Sequence, residues 1–191
     1  QGFDLSLTWG HKYPYVTSRD ITTASALNAA GVAPCLLGDV YGSIRTYPIR
    51  VGNVYDAEGK MTGWSGGHYD DQVELTWEDL TRMSGSPEPL LERTTVTKKI
   101  RRVFTLSQKQ LGRFINVCAP THLFVNFVNY WDHVGAHGVR AAEMLPPKVQ
   151  TRIDALIEAL VDMTPLGYCI PKISYLGTGN RNGDMVDLLK D

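Results

Sequence analysis

The segment Leu123-Phe124-Val125-Asn126-Phe127-Val128, apolar but for one amide, constrains this chain most. A run of that length bounded by polar residues reads as a strand covered on both faces. Ser107 to Cys118 precedes it and reads as a helix. Ser107 and Gln110 form a capping box, and Leu111, Phe114, Ile115 and Cys118 make one apolar stripe. A helix feeding a buried strand predicts an α/β fold: a mostly parallel central sheet with flanking helices. In such sheets ligands bind beyond the carboxyl ends of the strands, which is where Asn129-Tyr130-Trp131-Asp132 stands.

The other elements follow from local signals. Ala24 to Ala30 is a short helix closed by Gly31. Asp39 to Val51 reads as one long strand, with Pro48 marking an edge or a bulge. Asn53 to Asp71 is polar and glycine-rich, hence a mobile surface loop. Thr76 to Met83 is a helix with Thr76 and Asp79 as its capping pair. Pro146 and Pro147 open an amphipathic helix with Val149, Ile153, Leu156, Ile157 and Leu160 on one face. Pro171 to Leu176 is a short strand, and Asp184 to Asp191 a polar tail.

Composition narrows the function classes. A net charge of −1 over 191 residues provides no global field for nucleic acid or an anionic membrane, so an anion site has to be local. The sequence holds no apolar run long enough to cross a bilayer. Cys35, Cys118 and Cys169 are far apart and form no C-x-x-C pair, which predicts reduced, buried thiols in a cytoplasmic setting.

Two stretches carry chemistry. Tyr13-Pro14-Tyr15-Val16-Thr17-Ser18-Arg19-Asp20 reads as an extended segment leading through a hydroxyl-rich turn to a helix start. Unpaired backbone N–H groups there, with the Thr17 and Ser18 hydroxyls, suit a phosphate or carboxylate. Arg50 serves either an anion or a structural ion pair. The second stretch, Thr94-Thr95-Val96-Thr97-Lys98-Lys99-Ile100-Arg101-Arg102, crowds cations and hydroxyls as no apolar core strand would. A small dicarboxylate needs two cationic contacts and several short donors, and this segment has both. His68, Asp70 and Asp71 lie close together, but no second cluster completes a metal set. His133 and His137 read as loop histidines without metal, since Gly135 and Gly138 interrupt a helix.

The segments Gln1 to Ala26, Arg45 to Gly52, Thr94 to Phe104, Leu123 to Asp132 and Lys172 to Arg181 resemble, in order, the adenylosuccinate synthetase family, and more narrowly its short archaeal and phage branch. That resemblance implies a carbon–nitrogen ligase joining L-aspartate to C6 of a purine nucleoside monophosphate. A triphosphate first phosphorylates the purine O6. It implies nucleotide contacts at Gln1, Thr17, Val51, Gly52 and Lys99. Aspartate would be held by Thr95, Val96, Thr97, Lys99 and Arg101. The triphosphate donor would meet Arg101, Phe127, Asn129, Gly177, Thr178 and Gly179. Lys99 departs from the family's usual Arg, keeping the charge without the fork. Asn129 replaces an aspartate that reads guanine in the family. An amide matches adenine's donor–acceptor edge, so ATP or dATP is expected in place of GTP. The phage branch that departs from guanine reading condenses aspartate with dGMP on the way to diaminopurine DNA, and this is the expected reaction. GTP-dependent synthesis from IMP and a non-catalytic nucleotide-binding remnant are the alternatives.

In that family the catalytic Asp and His, the Mg2+ ligand and the phosphate loop precede the residue matching Gln1. The expectation is therefore a C-terminal portion of one synthetase-like domain, inactive in isolation, with Mg2+ ligands outside it. The resemblance also implies a homodimer in the cytoplasm, the host's if the protein is phage-encoded.

Overall fold

The computed structural model describes residues 2–190. Its centre is a four-stranded sheet: β1 (Tyr41–Arg45), β7 (His122–Asn126), β8 (Lys172–Gly177) and β9 (Met185–Asp187). β1, β7 and β8 run parallel, and β9 closes one side antiparallel. β7 is central as the apolar run predicts, and Leu123 and Val125 on its inner face are fully buried. Its outer face, with His122, Phe124 and Asn126, is only half-buried. The expected cover on both faces is therefore present on one.

That inner face packs against α3 (Gln108–Cys118) and α5 (Pro147–Met163), the crossovers that parallel strands require. α3 buries Leu111, Ile115 and Cys118. α5 buries Val149, Leu156 and Leu160 but leaves Ile157 45 % exposed. At 100° per residue Ile157 falls at the margin of that stripe.

The expected strand 39–51 is two strands in two sheets. β1 ends at Arg45, the chain turns through Thr46 to Pro48, and β2 (Ile49–Arg50) joins β6 (Arg102–Phe104) and β5 (Glu74–Leu75) in a small antiparallel sheet. Pro48 lacks an N–H, yet its carbonyl accepts from Phe104 N at 2.9 Å, so it sits where the ladder needs only an acceptor. The polar segment 53–71 is also more ordered than its composition suggests: β3 (Val54–Tyr55) and β4 (Met61–Gly63) pair within it, and Tyr69 at its end is buried. The supposed tail contains β9, with Val186 1 % exposed.

Local capping is largely as the sequence predicts. α1 (Thr23–Ala30) ends at Gly31 with φ 66°. α2 (Trp77–Ser84) begins at Thr76, whose hydroxyl accepts from Asp79 N at 3.0 Å. At α3 the Ser107 hydroxyl accepts from Gln110 N at 2.8 Å, but the Gln110 side chain turns away to Asp4, and Asp71 instead accepts from the Ser107 hydroxyl and from Lys109 N. α4 (His133–Ala136) is a helical turn where a loop is expected; Asp132 caps it by accepting from Gly135 N. A Cβ at Gly135 would press on Pro146, which accounts for the glycine. Cys118 is buried, but Cys35 and Cys169 are exposed, against expectation; all three are free thiols.

Candidate functional site

A cavity of about 320 Å3 opens between the 11–17 turn, the β2 end and the 65–72 segment. Its floor is a polar cluster. Asp4, 4 % exposed, accepts from the Tyr69 hydroxyl at 2.7 Å and from the Gln110 amide, and Arg113 stands 3.4 Å away. Burial, and then the hydrogen bond to Asp4, hold the Tyr69 phenol well above its ordinary pKa, so it stays a donor. The His11 ring stacks on Tyr69 at 4.0 Å. Burial and the neighbouring Lys12 and Arg113 cations lower its pKa, favouring neutral imidazole. Sequence reasoning missed Asp4, Tyr69, Gln110 and Arg113. Three separate segments meet there, and none carries a local signature.

The hydroxyl turn lies on one wall but not as predicted. The Tyr13–Pro14 peptide is cis, and residues 11–14 form a turn rather than an extended segment, with Tyr15 N donating to Lys12 O at 2.8 Å. Thr17 N and Ser18 N both donate to Leu5 O. Thr17 lines the cavity, while α1 contributes nothing to the lining. The α1 N-terminus is capped by Thr22, whose hydroxyl accepts from Ser25 N, and Thr23 bonds Cys118 O at 2.5 Å. The helix-terminal anion pocket is thus replaced by Thr17 on a turn, with Asp20 bound to the Ser6 hydroxyl. Those hydrogen bonds lower the Asp20 pKa.

For Arg50 the structural ion pair is not found among the described residues. Its guanidinium lines the cavity and donates to Ser65 O at 2.7 Å and Tyr15 O at 3.3 Å, and among the described residues no carboxylate pairs with it. Burial and the nearby Arg102 depress its pKa. Its neighbour Val51 also lines the cavity. Gly52 then passes directly under the cationic segment, and a Cβ there would run into the Ile100 carbonyl. Val51 thus shares the cavity with Thr17 while Gly52 beside it packs against Ile100, and none of residues 94–101 lines that cavity.

The cationic segment is a hairpin turn. Arg93 and Ile100 form an antiparallel bridge, Thr94 N donates to Lys99 O at 2.9 Å, and Lys98 takes a left-handed φ of 54°. Thr94 and Thr97 share a hydrogen between their hydroxyls at 2.6 Å. Thr95, Val96, Thr97 and Lys99 are exposed. The two arginines differ. Arg102 forks onto Glu74, Nε to Oε1 at 2.7 Å and Nη2 to Oε2 at 2.6 Å, and also holds Gly66 O. Arg101 makes no ion pair among the described residues, only a 3.4 Å contact to Arg93 O. Its own carbonyl accepts from Trp77 Nε1 at 2.6 Å. Lys99 and Arg101 thus keep their charges free for a ligand, and Arg102 does not.

Of the residues expected to meet the donor, Phe127, Asn129, Gly177, Thr178 and Gly179 lie at or just past the carboxyl ends of β7 and β8, and Arg101 does not. Phe127 takes φ 64°, and the Arg45 guanidinium lies 3.8 Å over its ring. Gly177 faces Asn126, and Gly179 packs against Asp184. Two residues there turn away from solvent. Thr178 is fully buried, with its hydroxyl donating to Val139 O at 2.7 Å. Asn129 is 4 % exposed and lines none of the cavities described, and its Oδ1 finds no partner among the described residues. A buried amide oxygen without a partner costs about 1–3 kcal/mol. Gln1 lies outside the described residues. Asp70 and Asp71 tie to the start of α3, through Lys109 and Ser107.

No family model matches the chain. It is similar over its whole length, at 38% identity, to N6-succino-2-amino-2'-deoxyadenylate synthase of Vibrio phage phiVC8, covering 45% of that protein. It is similar over 83% of its length, at 30% identity, to adenylosuccinate synthetase of Thermococcus onnurineus, covering 40% of it. Among solved structures it resembles the Cyanophage S-2L succinoaminodeoxyadenylate synthetase bound to dGMP and to dATP as an energy donor: TM-score 0.69, 32% identity, 98% of this chain and 44% of that one. The chain thus spans about half the length of the curated relatives it matches.

Proposed function

We propose, from the premise that this chain is homologous to the adenylosuccinate synthetase family and shares more identity with its phage N6-succino-2-amino-2'-deoxyadenylate synthase than with its archaeal member, that it forms part of a ligase joining L-aspartate to C6 of dGMP with dATP or ATP as phosphoryl donor. The observation that supports this is that Val51 lines one cavity with Thr17 while the adjacent Gly52 packs against Ile100 and Lys99 of the cationic turn. A nucleotide held along the cavity would present its base toward a turn whose Lys98, Lys99 and Arg101 have no ion-pair partner among the described residues.

In this reading Thr17 and Val51 hold the dGMP phosphate and sugar, with Gln1 as a further contact. Thr95, Val96 and Thr97 supply donors, and Lys99 and Arg101 charge, to the aspartate carboxylates. Holding the diacid at two points brings its amine against C6, converting a two-body encounter into an oriented displacement. The donor lies at the carboxyl ends of β7 and β8, by Phe127, Gly177 and Gly179. Thr178 has little to offer there, because its hydroxyl donates to Val139 O, its N–H donates to Asp184 O and its carbonyl accepts from Gly138 N. Asn129 reads the donor base only after its side chain turns outward, which its unpartnered Oδ1 favours.

The triphosphate would bring Mg2+, which would supply charge to the transferring phosphoryl group. Among the described residues no group of three His, Cys, Asp or Glu side chains could hold it, so these residues do not fit the ion. The same reading has the chain as one portion of a single synthetase-like domain, working as a homodimer in the cytoplasm of the host.

The test joins this chain to the portion of the phiVC8 relative that it does not span and follows phosphate release with L-aspartate. Turnover with dGMP and dATP is the expected result. Turnover confined to IMP and GTP, or none with any pair, overturns the reading.

A further inference from the structure

Tyr47 and Pro48 are consecutive in the turn between β1 and β2, yet they face different hollows. Pro48 lines the cavity shared by Thr17 and Arg50. Tyr47 lines a second hollow of about 340 Å3, walled by the start of α3 and one side of α5, and the two have no residue in common. A hollow of that size suits a small molecule.

Its lining defines what it would hold. Tyr47 is 5 % exposed and Trp131 6 % exposed, and neither the Tyr47 hydroxyl nor the Trp131 Nε1–H makes a hydrogen bond to another described residue. Neither atom is sealed off, so each donor is open to the hollow that its side chain lines. Buried donors without a partner are uncommon in folded proteins. Burial raises the Tyr47 pKa and the Arg152 charge opposes it, so the phenol keeps its proton. Arg152 is exposed on the rim, with its guanidinium 5.9 Å over the Trp131 ring and no ion pair among the described residues. No Asp or Glu lines the hollow. Leu106, Leu111, Leu156 and Met163 make its walls apolar, and Ala155 and Ala159, one helical turn apart on α5, leave a slot beside them.

We infer that this hollow is a binding site for a small organic anion with a flat apolar body, an aryl carboxylate in class. Arg152 meets its charge, the Tyr47 hydroxyl and the Trp131 Nε1–H serve as neutral donors, and the ring lies against the indole and the small residues of α5. An inorganic anion would leave the apolar walls uncovered, and a neutral aromatic would leave Arg152 unmet. The site is independent of the ligase reading, because it shares no residue with the Thr17 cavity.

The experiment titrates naphthoate into this chain and follows the Trp131 Nε1–H resonance, assigned with Trp131→Phe, in nitrogen–proton correlation spectra. A saturable shift of that resonance is the expected result. Arg152→Gln should weaken binding at least about tenfold. Neutral naphthamide should bind the wild-type chain as weakly as naphthoate binds that variant. Ala155→Leu fills the slot from an exposed position, so it should abolish the shift and leave the melting curve in place. Absence of a saturable shift overturns the inference. So does naphthamide binding as tightly as naphthoate, or naphthoate binding that ignores either variant.

Discussion

Tyr130 donates its phenol hydrogen to the Glu92 carboxylate at 3.0 Å, joining the end of β7 to the base of the cationic turn. Arg45, at the end of β1, pairs with the same carboxylate while covering the Phe127 ring. One acid thus holds together the carboxyl ends of two parallel strands and the segment with the free cations. Burial, followed by the Glu92 charge, raises the Tyr130 pKa, so the phenol remains a donor at any ordinary pH.

Glu92→Ala should therefore be costly. It strands an Arg45 guanidinium that is only 19% exposed and removes the Tyr130 acceptor. The expected loss is about 2 kcal/mol, reduced from the fully buried case by this residual exposure. Urea unfolding checks it, and Glu92→Gln should recover part of the loss by keeping an acceptor for Tyr130.

Arg101 and Arg102 are adjacent and should separate by phenotype. Arg102→Ala deletes a fork onto Glu74 and the contact to Gly66 O, with an expected cost of about 2 kcal/mol. Arg101→Ala should change stability by less than about 0.5 kcal/mol, because that side chain holds only a long contact. In the assembled enzyme it should nevertheless raise the KM for aspartate by about tenfold or more. Unfolding curves and steady-state kinetics on both variants decide it.

Gly52→Ala should couple stability to aspartate use. The added Cβ meets backbone, the Ile100 carbonyl, which cannot swing aside as a side-chain tip can. A cost of about 1–3 kcal/mol is expected. Hydrogen exchange should speed up across 94–101, whereas Gly38→Ala, with open space around it, should leave that segment unchanged.

The Glu74–Arg102 pair sets a pH dependence. The hydrogen bonds from Arg102 hold the Glu74 pKa below its ordinary value of 4.5. The unfolded chain therefore binds this proton more readily. The stabilisation is complete above about pH 4.5 and is lost as the pH falls through the lower folded value. Urea midpoints from pH 7 to pH 3 should fall less steeply for Glu74→Gln than for the wild-type chain.

What the sequence settled by itself was local. Thr76, Ser107 and Gly31 cap their helices because each partner lies within a few residues. The apolar run 123–128 specified a central strand, because its side chains can be buried in few other ways. The exposed turn with Lys99 and Arg101 was legible from charge density, since a solvated basic turn needs no distant partner.

Tertiary structure decided everything that depended on which remote groups meet. The segment 39–51 reads as one strand, yet it divides because Thr46 N finds Asn126 O while Pro48 O finds Phe104 N, in different sheets. Asp4 and Tyr69 are 65 residues apart and become one buried pair. Arg102 is structural and Arg101 free because β5 and β6 meet in a register that sets Glu74 opposite Phe104, within the fork's reach. Asn129 is expected to read the donor base but is enclosed by the turn after β7. Hydrogen bonds to close neighbours are encoded by spacing along the chain. Those between distant groups exist only once packing has brought their elements together.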